Sequence, residues 1–101
     1  MIFALETDTY ELTVFKSEAD AISYCEGFDV YNGGWLFFSE SGTPLKAVFS
    51  TKPEGNWLIN HGTYALSPDS GPGLREFLPR IVGIEGLDDI RSLADIERII
   101  S

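Results

Sequence analysis

The residues best suited to chemistry are few: one histidine, His61, and one cysteine, Cys25, in a chain of 101 residues. A lone imidazole excludes zinc sites built from several histidines. Cys25 and His61 together would supply a nucleophile and its base. Cys25, however, falls on the apolar side of an expected helix, where a thiol packs as a small inert hydrophobe. A Ser–His–acid arrangement through His61 would need an activated serine, and no serine here stands in a Gly-x-Ser-x-Gly context. The pair Asp88-Asp89 has the residue type that glycosidases use, but reads as solvated carboxylates in a loop before the last helix. Gly33-Gly34 and Gly71-Pro72-Gly73 lack the following Lys-Ser/Thr and the strand–loop–helix spacing of a phosphate cradle. The expectation is therefore a protein with no catalytic residues, no metal site and no cofactor. A small enzyme using Cys25 or His61 stands as an alternative.

Charge is the more informative feature. Seven Lys and Arg face sixteen Asp and Glu, a net charge of −9 at pH 7 with a pI near 4.3. Binding to nucleic-acid phosphates needs a positive surface and is not expected. Residues 1–40 hold eight carboxylates against Lys16 alone, a net of −7, while residues 41–84 sum to +1 and residues 85–101 to −3. A concentration of this kind can be ordinary solubilising charge, or one face that steers a basic partner. On the second reading the partner-binding residues are Asp8, Glu11, Glu18, Asp20 and Asp29. Tyr10, Tyr31 and Trp57, at expected turns or strand ends, join them as aromatic anchors.

These residues must be held by a fold that the chain can build alone. With 44% hydrophobic and 13% aromatic residues, residues 1–101 can form one domain with a real core and are not disordered. One cysteine allows no internal disulfide. The first residues have no basic n-region and reach Glu6 and Asp8 too soon for a signal peptide. Uninterrupted apolar runs, such as 35–38, fall far short of the roughly 20 residues needed to span a membrane, so no membrane partner is expected. Together these features lead to the expectation of a cytoplasmic protein.

Residues 2–6 and 11–15 read as a hairpin around Thr7-Asp8-Thr9-Tyr10. Ser17, with Asp20 three residues on, starts a helix that carries Ala21, Ile22 and Cys25 inward and stops at Gly27, read as a left-handed cap. Residues 28–31, 35–38, 45–51 and 57–66 read as strands separated by the turn chemistry of Asn32-Gly33-Gly34, Ser41-Gly42-Thr43-Pro44 and Pro53-Glu54-Gly55-Asn56. Asn60-His61-Gly62 either bulges the last strand or splits it. After the loop 67–73, with Pro72 suited to a first helical turn, Leu74, Phe77, Leu78, Ile81 and Val82 have helical spacing. Pro79 makes that helix either short or kinked. Ser92 and Asp95 repeat the start signal before the stripe Leu93, Ile96, Ile99, Ile100. Short connections favour antiparallel pairing. The expected class is α+β, an antiparallel sheet with three short helices packed against it.

The stretch Ser17-Glu18-Ala19-Asp20-Ala21-Ile22-Ser23-Tyr24-Cys25-Glu26-Gly27, followed by Asp29-Val30, resembles small bacterial immunity proteins. These are encoded beside polymorphic toxins, including those of contact-dependent growth inhibition. Trp35-Leu36-Phe37-Phe38, Gly42-Thr43-Pro44-Leu45, Gly62-Thr63-Tyr64, and Leu78-Pro79 before Glu85-Gly86 are similar as well. The likeness runs over most of the chain, and its motifs are those of a fold rather than of a contact surface. It implies a cytosolic protein that binds and neutralises a cognate toxin domain. Many such toxins are nucleases, which must present cations to phosphate. The expected partner is thus a basic nuclease domain, an RNase first, blocked by the acidic surface. A small adaptor or scaffold domain without a toxin partner is the other alternative.

Overall fold

The β-branched and aromatic run Ile2–Glu6 (β1) pairs with Glu11–Phe15 (β2) as the expected hairpin, with Phe3 opposite Val14 and Leu5 opposite Leu12. Trp35–Ser39 (β3) pairs with the other side of β1, followed by Pro44–Thr51 (β4) and Thr63–Pro68 (β5), each antiparallel to its neighbour. Gly83–Glu85 (β6) completes a six-stranded sheet of order β5-β4-β3-β1-β2-β6 and is its single parallel strand among the described residues. The structure, a computed structural model, describes residues 1–55 and 60–101. Trp57, the first part of the strand expected over 57–66, and Asn56 of the preceding turn lie outside the described residues. Within them β5 begins only at Thr63, after Gly62.

Helices cover both faces. Period-two alternation sends Ile2, Ala4, Phe37 and Tyr64 to one side, where they pack with Ala21 and Cys25 of the 17–31 segment. Phe3, Leu5, Leu12, Val14 and Phe38 go to the other side, against Leu74, Leu78, Ile90 and Ile96. Each fully buried side chain of this kind contributes about 1.5–3 kcal/mol. The described residues form four α-helices and one 3-10 turn: Glu18–Tyr24 (α1), Gly27–Tyr31 (α2), Leu74–Phe77 (α3), the turn Leu78–Arg80 and Leu93–Ile100 (α4). The class is α+β, as expected. Pro79 does shorten the 74–82 helix, whose second half becomes the 3-10 turn. Gly73, not Pro72, sits at its entry.

The caps at Ser17 and Ser92 are as read. Ser17 Oγ accepts from the Asp20 N–H at 3.1 Å, and Ser92 and Asp95 form a reciprocal capping box. Two expectations are corrected in between. Residues 28–31 are helix, not strand: the Val30 N–H reaches the Glu26 carbonyl at 3.0 Å and the Asn32 N–H reaches that of Phe28 at 3.2 Å. Asn32 Nδ2 also donates to the Phe28 carbonyl, at 2.8 Å, and the Phe28 N–H donates to His61 Nδ1 at 3.4 Å. Tertiary and capping partners at both ends override the β propensity of Phe, Val and Tyr. Nor is Gly27 a left-handed cap. It opens α2, and a Cβ there would collide with the main-chain carbonyl of His61. The glycine is needed for close approach of two backbones.

Candidate functional site

The segregation of charge along the chain becomes a segregation between layers. Glu6, Glu11 and Glu85 lie at strand positions that alternate onto the α1–α2 face, and Glu18, Asp20, Glu26 and Asp29 belong to the α1–α2 segment itself. Lys16, leading into α1, is the nearest Lys or Arg in sequence to those of residues 1–40. The opposite layer, from α3 to α4, mixes Arg75, Arg80, Arg91 and Arg98 with five carboxylates. One side of the molecule is acidic and the other is close to balanced.

Two of the concavities on the acidic side gather carboxylates of the expected set. At the end of the sheet where β1 turns into β2, Glu6, Asp8 and Asp29 share a cleft of about 330 Å³ with Trp35. It brings together Asp8 and Asp29 from the expected set. The second is a groove of about 740 Å³ between α1 and the β2–β6 edge, with Phe15, Lys16, Asp20, Tyr24 and Glu85 among its lining. α1 packs on β1, β2 and β5, and the groove opens between it and the β6 side of this face. Gly86 forms part of its wall with φ +123°, where a Cβ would strike the Val14 backbone. Glu11 lies beside this edge, its Cγ 3.8 Å from the Cβ position of Gly83.

The other expected anchors lie elsewhere. Tyr10 packs against the opposite core, with Arg80 stacked at 4.4 Å from its ring centroid and hydrogen-bonded to its hydroxyl. It also holds φ +58°, a left-handed conformation costly for a residue with a side chain. The Glu18 carboxylate accepts the Leu66 N–H of edge strand β5 at 3.2 Å, which satisfies a main-chain donor and guards the edge. Tyr31 is half exposed and meets Phe49 edge-on at 5.4 Å. Trp57 is outside the described residues.

Sequence reasoning missed Tyr24 as an anchor. Its ring is 59% exposed, yet held at 5.5 Å from Phe15 and 6.2 Å from Trp35 in a row across the acidic face. The signal was available: Tyr24 stands one helical turn after Asp20, on the polar side of α1 away from buried Ala21 and Cys25.

The chemistry of Cys25 and His61 follows from their surroundings. Burial first, then the charges of Glu6 and Asp29, push the Cys25 thiol up to about 12, so it stays protonated at neutral pH. The Cys25 main-chain carbonyl accepts the buried Tyr64 hydroxyl at 2.6 Å. His61 Nδ1 faces the Phe28 N–H, and Nε2 lies 3.9 Å from a Glu26 carboxylate oxygen. Nδ1 is thus engaged by a main-chain donor, and the charged neighbour nearest Nε2 is Glu26. Among the described residues no group of three His, Cys, Asp or Glu side chains comes together as a metal-ligand set. Among them, too, no helix is long and apolar enough to cross a membrane.

No protein-family model, curated protein or solved structure matches the chain significantly.

Proposed function

We propose that this protein is a cytoplasmic immunity-type protein that binds a cognate basic toxin domain, a nuclease and most readily an RNase, and blocks it without chemistry of its own. The observation that carries this reading is the collection of carboxylates from β1, β2, β6 and the α1–α2 segment on one side of the sheet, with a mixed-charge layer on the other. A one-signed face raises the encounter rate with a cationic partner by roughly ten- to a thousandfold at low salt. The exposed Tyr24 and Tyr31 supply rigid aromatic area within that field. The protonated Cys25, and a His61 whose Nδ1 accepts from the Phe28 N–H, fit a binder better than a catalyst. The immunity-like pattern of residues 17–30 agrees with this reading.

Co-expression with the toxin encoded beside it is the test. Protection of the cells and a stoichiometric complex are expected, and both should persist in Cys25→Ala and His61→Ala. Cell death without complex formation rejects the reading.

A further inference from the structure

Resting on that reading of the protein as a binder of a basic partner, we propose that the groove between α1 and the β2–β6 edge is where an arginine-bearing segment of that partner docks. Three observations converge there. The groove is the larger of the two carboxylate-lined concavities described on the acidic side. Its lining offers the exposed Tyr24 ring, stiffened by Phe15 and Trp35. Asp20 and Glu85 bring carboxylates to it from α1 and β6.

This combination selects a guanidinium over an ammonium. Arginine is planar, stacks on an aromatic face and presents several donors to carboxylates at once, whereas lysine is a compact, strongly hydrated point charge. A guanidinium stacked on the Tyr24 ring turns its donors toward the groove carboxylates, and the half-buried Phe15 floor accepts the apolar remainder of the segment. The stretch of sheet face between α1 and β6 supplies this floor. Lys16, also in the lining, opposes such a guest. Its replacement by glutamate should therefore strengthen binding, the reverse of what replacing Asp20 or Glu85 by lysine does.

The test is an amide-resolved NMR titration of the isotope-labelled protein with two blocked synthetic peptides, one of three arginines and one of three lysines. Shift changes are expected to concentrate at residues 13–16, 20–24 and 85–87. The arginine peptide should bind about threefold or more tighter than the lysine peptide. Tyr24→Ala should erase that preference, and Lys16→Glu should raise affinity for both. Tyr24 is exposed, so its truncation leaves the core intact, and Tyr24→Phe should keep the preference. Equal binding of the two peptides, or shifts centred on Glu6, Asp8 and Asp29 instead, overturns the proposal. The cognate toxin domain then separates the two claims. Groove-centred peptide binding without a toxin complex rejects the immunity reading alone. A toxin complex indifferent to Tyr24→Ala, Asp20→Lys and Glu85→Lys rejects the groove alone.

Discussion

Changing Tyr64 to phenylalanine removes one oxygen atom and tests how the acidic layer is tied to the sheet. Tyr64 is 6% exposed, and its hydroxyl donates at 2.6 Å to the main-chain carbonyl of Cys25, one of the two residues between α1 and α2. The ring also packs against Phe37 and Phe49, at 6.4 and 5.0 Å between centroids. Phenylalanine keeps those apolar contacts, so the loss isolates the hydrogen bond and strands a buried carbonyl without a partner. That costs about 1–3 kcal/mol. For a domain of this length each kcal/mol is worth about 4–8 °C in Tm, so a fall of about 4–24 °C is expected. Urea denaturation and calorimetry measure it, and amide exchange at 25–28 should accelerate with it. Tyr31→Phe is the control, since Tyr31 is half exposed and should stay within about 0.5 kcal/mol. A Tm within about 2 °C of the parent would refute the claim that this bond anchors the layer.

Three further outcomes follow from the same structure. The Cys25 thiol is raised to about 12 from an ordinary value of 9.0, so the stability it contributes is complete below about pH 9 and is lost as pH rises toward 12. The loss is at most about 1.4 kcal/mol per pH unit, and Cys25→Ala should flatten that alkaline slope in urea titrations; an unchanged slope assigns it elsewhere. At the other extreme, hydrogen bonds from the Arg91 main-chain N–H and from Ser92 hold the Asp95 carboxyl below its ordinary range. Its contribution is present above the unfolded value near 3.8 and disappears as pH falls through the depressed one. Asp95→Asn should blunt acid unfolding, and Ser92→Ala should cost about 1 kcal/mol at neutral pH. Finally, Gly27→Ala forces a Cβ onto the His61 carbonyl and should cost about 1–3 kcal/mol by denaturant titration, where an exposed helix start would gain from alanine.

Local signals in the sequence carry much of this fold. Ser17 and Ser92 announce α1 and α4 because a hydroxyl followed three residues later by a carboxylate satisfies orphan amides wherever it occurs. The β1–β2 hairpin and the α+β class follow from alternation and turn chemistry in the same way. Helix α2 does not, because five residues rich in Phe, Val and Tyr are helical only through partners such as His61, thirty-three positions from Phe28. Nor does β6, whose three residues are too short for any period to register and which is parallel because the chain returns through the opposite layer. That helices cover both faces is likewise a property of the assembled sheet.

The same division applies to the site. The acidic side was visible as a charge imbalance because residues 1–40 build three adjoining strands and both helices of one layer. Individual anchors were not. Tyr10 is engaged by Arg80, seventy residues away, and Glu18 by Leu66, forty-eight away. Exposure of Tyr24 depends on where α1 stops covering the sheet.

The central claim is that one layer steers a cationic partner, and stopped-flow association with the adjacently encoded toxin domain tests it most directly. Charge reversal of Glu11, Asp20 and Asp29 is compared with reversal of Asp88, Asp89 and Glu97 on the opposite side, at low and high salt. The account predicts a loss of about tenfold or more in association rate for the first set at low salt, little for the second, and convergence as salt rises. Equal losses for both sets, or a loss that salt leaves untouched, would contradict it.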